Sequence, residues 1–114
     1  MLRRITQGLA EGAELVVGGP QTPEGLSQGY FVQPTALVVQ RHHTLAREEI
    51  FGPVLVILAY ANEDEAVAIA NETVYGLGGG VWSQDEAHAM AVARRMRTGQ
   101  VDINGAPFNG NAPF

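Results

Sequence analysis

Residues Glu48 to Tyr60 read E-E-I-F-G-P-V-L-V-I-L-A-Y, and the fold class is decided by them. Six apolar residues run unbroken from Val54 to Ala59, with Gly52-Pro53 before them and Asn62 after. A short run that is apolar on both faces reads as a strand covered above and below, as in a parallel sheet. Each large side chain in it contributes roughly 1.5–3 kcal/mol when buried. Just ahead of the run stand two carboxylates, Glu48 and Glu49, and an aromatic, Phe51. A loop at the lip of a buried strand can present such groups to a ligand. The same residues also fit a plain turn with solvated acids, and both readings are open on physics alone.

The chain has 114 residues, one domain or less. A chain of this size buries about two thirds of its unfolded surface, enough for a single core. An apolar fraction of 46% with 17% charged residues excludes a disordered chain. The net charge of −5 and the scatter of the seven Lys and Arg exclude a nucleic-acid surface. The cluster Arg94, Arg95 and Arg97 reads as the last turn of a helix, where cations suit the dipole. With no cysteine, disulfides, thiolate metal sites and a cysteine nucleophile are excluded within this chain. No apolar run approaches the roughly 18 residues of a membrane span. Met1-Leu2-Arg3-Arg4 is basic, but no apolar signal core follows it, which points to a cytoplasmic protein.

Taken in order, residues 2–11 predict a helix with Leu2, Ile5 and Leu9 on one face, Gly12 as its stop and no capping residue ahead. Glu14 to Val17 predicts a strand, 20–29 a surface loop, and Thr35 to Val39 a second extended segment. His42 and His43 invite a metal reading. Neighbouring side chains diverge in a strand and sit about 100° apart in a helix, so one ion suits them poorly. Leu45 to Glu48 fits one helical turn. Asn62, with Glu65 three residues on, predicts the start of a helix that runs to about Thr73 and buries Ala66, Ile69, Ala70 and Thr73. Leu77 to Trp82 is the next strand. Its Gly78-Gly79-Gly80 lacks the spacing of a phosphate loop, and close backbone approach is the favoured use. Ser83-Gln84-Asp85-Glu86 is a capping box, followed by Ala89, Val92, Ala93 and Met96 at buried-face spacing. Gln100 to Ile103 is the last strand. Beyond it, Asn104 to Phe114 is a Gly-, Pro- and Asn-rich loop whose Phe108 and Phe114 need something to pack on. From Val54 onward the order β-α-β-α-β, with two helices of a dozen residues or more, predicts an α/β fold. Its parallel-type sheet is flanked by helices.

These residues carry a resemblance. Glu48-Glu49-Ile50-Phe51-Gly52-Pro53 resembles the E-E-x-F-G-P element of the NAD(P)-dependent aldehyde dehydrogenases. Asn71 with Tyr75-Gly76-Leu77 resembles that family's N-x-x-x-Y-G-L, and Ser83 to Ala93 is similar to its following helix. Gly99 to Asn104 resembles its G-x-V-x-(I/V)-N strand. Ala112-Pro113-Phe114 resembles the start of its P-F-G-G loop, and Gly29 to Thr35 its G-x-(F/Y)-x-x-P-T. Six weak motifs in register over nearly the whole chain make a strong match.

The resemblance implies that residues 1–114 are the second part of the family's catalytic domain. In that family a Cys thiolate attacks the aldehyde, hydride passes to NAD or NADP, and a Glu-activated water releases the acid. Neither the nucleophile nor the general base falls on this chain, which the resemblance therefore marks as a fragment without catalytic residues of its own. The ribose-binding Glu of E-E-x-F-G-P falls on Glu49, the aromatic beside the nicotinamide on Phe51, and the aromatics of the aldehyde tunnel on Phe108 and Phe114. A carboxylate accepting from two vicinal hydroxyls makes bonds of the strong, charge-assisted kind. Members pair through this domain, so a homo-oligomer is expected. A free-standing nucleotide-binding domain is the third reading, with tight NAD binding not expected of the isolated chain.

Overall fold

The computed structural model describes residues 1–107. The chain divides into two compact units, Met1–Ala59 and Tyr60–Phe114.

In the first unit, α1 (Leu2–Ala10) starts without a side-chain cap, as its sequence predicts. It ends at Glu11, and Gly12 follows at φ +99°, a left-handed position that suits glycine. Ile5 is fully buried, while Leu2 stays 38% exposed. Gly8 is glycine for a packing reason, because a Cβ there would run into the Leu45 side chain. Strands β1 (Glu14–Val17), β2 (Thr35–Val38) and β3 (Val54–Ile57) form one sheet. β1 runs antiparallel to β2 with a bulge between Leu15 and Val17, and β2 runs parallel to β3 with Thr35 opposite Val54. A short 3-10 turn at Thr44–Ala46 lies between β2 and β3, slightly ahead of its predicted place. The core gathers Ala13, Leu37, Val39 and Leu45, with Leu9, Ile50, Val54, Val56 and Leu58 against it. Polar straps complete it. Glu11 accepts from the Thr44 hydroxyl and the Thr44 amide, both at 2.7 Å. Buried Thr35 donates to the Gln33 carbonyl and accepts from the Gly19 amide.

The organising strand differs from its prediction. β3 alternates half-buried and exposed residues, with Leu55 at 62% exposure, so it is covered on one face rather than two.

In the second unit, α2 (Glu63–Ala70) begins at Asn62, whose side chain accepts from the Glu65 amide at 2.9 Å. Glu65 in turn accepts from the Ala61 amide at 2.6 Å. The helix is eight residues long and stops short of Thr73 because Asn71 becomes its C-cap. Its buried residue is Val67, with Ala66 and Ile69 half-buried and Ala70 exposed. β4 (Gly79–Val81) and β5 (Val101–Ile103) pair in parallel across α3 (Glu86–Ala93). The α3 cap is Asp85, which accepts from the His88 amide at 3.0 Å, rather than Ser83. Ser83 accepts from the Asp85 amide and so forms the turn ahead of the helix. Ala89 and Ala93 are buried, and Val92 and Met96 half-buried, on the predicted face. The Arg cluster lies past the helix end rather than in its last turn, with Arg94 as C-cap.

The fold is thus α/β, but its strands divide differently from the single parallel series expected. Among the described residues, β3 pairs with β2 in a mixed three-stranded sheet of the first unit, and β4 pairs with β5 in the second. No helix among them is long and apolar enough to cross a membrane.

Candidate functional site

The loop from Arg47 to Pro53 joins the 3-10 turn to β3, so it lies at the amino end of the parallel β2–β3 pair. Several contacts fix its course. The Arg47 Nε donates to the Arg41 carbonyl at 3.0 Å. The Thr35 amide donates to the Pro53 carbonyl at 2.9 Å, and the Val54 amide closes a tight turn onto the Gly52 carbonyl at 2.8 Å. Gly52 sits at φ +157°, and a Cβ there would strike the Met1 thioether. Glu48 is held in an ion pair with Arg4 of α1. Ile50 is half-buried against the core. Glu49 is exposed, and Phe51 is 94% exposed. Beside the turn lies an apolar hollow of about 460 Å³ lined by Val17, Pro34, Ala36, Gly52, Pro53 and Leu55.

The His pair is arranged against shared ligation. His43 is buried, and its Nδ1 accepts from the Gln40 amide at 3.2 Å. His42 is exposed and meets the His43 ring edge-on at 4.4 Å.

In the second unit, Gly79 is a close-approach glycine. Its amide donates to the Gln100 carbonyl at 2.9 Å, and a Cβ on it would lie 2.7 Å from the Met96 methyl. The Asn of N-x-x-x-Y-G-L, Asn71, joins the ends of α2 and α3. Its Nδ2 donates to the Arg95 carbonyl at 2.8 Å and its Oδ1 accepts from the Arg97 amide at 2.6 Å. Arg97 returns its guanidinium to the carbonyls of Asn71 and Thr73. A cation on the carbonyl end of α2 complements the helix dipole. Asn104 closes β5, and Phe108 and Phe114 lie outside the described residues.

The sequence profile of the aldehyde dehydrogenase family matches residues 1–114. The chain belongs to the aldehyde dehydrogenase family. It is 56% identical over 113 residues to a geranial dehydrogenase from Castellaniella defragrans, covering 98% of this chain and 23% of that protein. It is 51% identical over 111 residues to a 3-succinoylsemialdehyde-pyridine dehydrogenase from a Pseudomonas species, covering 96% and 23%. Among solved structures, it matches an aldehyde dehydrogenase C mutant from Pseudomonas syringae, complexed with NAD+ and octanal, at 51% identity and a TM-score of 0.95. That match covers 99% of this chain and 24% of the other. A Mycobacterium tuberculosis aldehyde dehydrogenase complexed with NAD+ matches at 47% identity and a TM-score of 0.90, covering 96% and 23%. The chain thus spans about a quarter of the length of these relatives.

The sequence marks Asn71 and Asn104 by motif membership alone and Arg97 only as one of a cationic cluster at a helix end. Asn104 did carry a signal. Asn-Gly after a strand is the dipeptide of turns with positive φ, and Asn104 and Gly105 adopt φ +53° and +73°.

Proposed function

We propose that this chain is a segment of an NAD(P)-dependent aldehyde dehydrogenase that oxidises an apolar aldehyde to its carboxylic acid. In it, Glu49 holds the nicotinamide-ribose hydroxyls, Phe51 lies along the nicotinamide, and Phe108 and Phe114 line the aldehyde tunnel. The observation that carries the reading is the alternation at 49–51. Ile50 anchors the segment in the core, while the carboxylate and the ring on either side stay exposed. This arrangement fits a nicotinamide nucleoside, which offers two vicinal hydroxyls and a flat cationic ring. When bound, NAD or NADP supplies the hydride acceptor. The residues of this chain orient it. Glu49 accepts two charge-assisted hydrogen bonds and fixes the ribose. Phe51 limits where the ring can lie and keeps water from one side of it. An apolar substrate is favoured by the octanal in the Pseudomonas syringae relative, and by Phe108 and Phe114 as apolar tunnel walls.

The chain has no cysteine, so the thiolate belongs to other polypeptide. The isolated chain is therefore inactive and binds NAD weakly. Assay of the 114-residue chain with octanal and either dinucleotide gives no reduced cofactor, whereas the full-length enzyme carrying this segment does. Turnover by the isolated chain would overturn the reading.

A second reading rests on one observation. All four residues of β1 are exposed, Val16 and Val17 among them, and β1 is a sheet edge. Such an edge can pair with another chain, making the segment a non-catalytic module that forms homo-oligomers. Sedimentation of the isolated chain separates the two readings, since a monomer at high concentration excludes self-association.

A further inference from the structure

The parallel β4–β5 ladder makes its last main-chain bond at Asn104, whose amide donates to the Val81 carbonyl at 2.9 Å. The Asn104 side chain adds one more step. Its Oδ1 accepts from the Ser83 amide and its Nδ2 donates to the Ser83 carbonyl, both at 2.9 Å. A carboxamide has the donor and acceptor of a peptide group, so it takes the place of the next peptide in the strand. The main chain turns away at this point. The Ala106 amide closes onto the Ile103 carbonyl at 3.1 Å, with φ +53° at Asn104 and +73° at Gly105. Both residues of the turn are exposed. Among the described residues, the Gly105 amide has no acceptor. The Trp82 ring lies against the turn, since a Cβ on Gly105 would come within 2.9 Å of it.

The turn therefore pairs an amide carbon, the Asn104 Cγ, with an uncommitted backbone nitrogen on the next residue. A bond between them closes a succinimide ring, and glycine brings no Cβ to crowd the attack. The clasp opposes it. With both ends of the carboxamide bonded to Ser83, rotation toward the Gly105 nitrogen costs both bonds. Those bonds are exposed and neutral, so opening them costs little.

We propose that Asn104 is a site of spontaneous deamidation, gated by its clasp on Ser83. When the clasp opens, the Gly105 nitrogen gives its proton to solvent base and bonds to the Asn104 Cγ. The Cγ–Nδ2 bond breaks, and that nitrogen leaves as ammonia. Water then opens the ring, leaving aspartate or isoaspartate. Neither product restores the clasp. An ionised carboxylate has no proton for the Ser83 carbonyl, and isoaspartate adds a carbon to the main chain. The end of β5 is thus unlatched by the chain's own chemistry, independently of the reaction proposed above.

The test incubates the 114-residue chain at mildly alkaline pH, in native buffer and in concentrated guanidinium, and locates the products by peptide fragmentation. Fragmentation separates Asn104 from Asn109, which also precedes a glycine. In native buffer Asn104 converts to isoaspartate and aspartate about tenfold more slowly than in guanidinium, where no clasp exists. Isoaspartate is the signature of the ring, because direct hydrolysis gives aspartate alone. Asn62 and Asn71, each followed by a glutamate, stay intact over the same time. Emission from Trp82, the single tryptophan, shifts in native buffer as Asn104 is consumed. Equal rates in the two solvents, no conversion in native buffer, or conversion to aspartate alone would each overturn the proposal. Unchanged Trp82 emission after full conversion would overturn the unlatching.

Discussion

The two units are held together by different means. The first buries large aliphatic side chains, with Ile5 and Leu37 fully inaccessible and Val39 and Leu45 close behind. The second buries Val67 and two alanines, Ala89 and Ala93, and its helices are joined instead by side chains that bond to backbone. Small residues let α3 approach the β4–β5 pair, but they remove little apolar area from water, and the polar clasps fix where its elements end. Apolar burial is nondirectional, whereas a carboxamide gripping an amide and a carbonyl dictates where a strand or helix stops. The second unit holds the exit from β5, and the first holds the Glu49–Phe51 loop.

Four substitutions press on this contrast. Leu37→Ala has the largest effect, destabilising the first unit by about 2–5 kcal/mol through lost transfer energy and a cavity. Amide exchange then rises throughout residues 1–59 and little in the second unit; uniform loosening of both would erase the distinction. Asn71→Ala destabilises the second unit by about 0.5–1.5 kcal/mol, since the Arg97 amide and the Arg95 carbonyl exchange an exposed partner for water. Urea unfolding that is unchanged by it would show that the clasps are incidental.

Glu11 probes the one large polar strap in the first unit. The hydroxyl of Thr44, then its amide and the Gln7 amide, hold the Glu11 carboxyl below the usual carboxylate range. Its folded pKa lies below its unfolded one, so its stabilisation is full above the ordinary carboxylate pKa and is lost as pH falls through the lowered value. Glu11→Gln thus lowers stability in the neutral region, leaves it little changed in acid below the lowered value, and so flattens the acid limb of the stability–pH curve. Arg95 gives the smallest effect. Its guanidinium pKa is raised by its hydrogen bond to Asp64, and it also reaches Glu63, but the group is solvated. Arg95→Ala shifts the melting temperature slightly at low salt and not at all at molar salt, where surface pairs are screened.

Element types were legible in the sequence because they follow from local periodicity and punctuation. Asn62 and Gly12 marked ends, and Ala89 and Ala93 marked a buried face. Strand pairing was not legible. Val54 to Ala59 looks doubly covered because its apolar run is continuous, yet Leu55 lies on an exposed face of this chain. Period alone cannot tell whether the cover comes from the same hundred residues. The cap of α3 moved from Ser83 to Asp85 because both residues suit the position, and the turn geometry chose between them. The candidate loop was legible as a motif, Glu49 with Phe51. Its local logic, an anchored Ile50 between two exposed neighbours, needed coordinates. The Asn71 and Asn104 clasps depend on residues 20 or more positions away and left no local trace beyond the Asn-Gly pair.

The exposed carboxylate of Glu49 is tested most directly by Glu49→Gln in the full-length enzyme, with dinucleotide KM and octanal KM measured together. The substitution keeps the shape and removes the charge that two ribose hydroxyls would meet. A rise of about tenfold or more in the KM for the dinucleotide, with KM for octanal within about twofold, is the expected result. An unchanged dinucleotide KM and an unchanged kcat would contradict the account, leaving Glu49 a solvated acid on a turn.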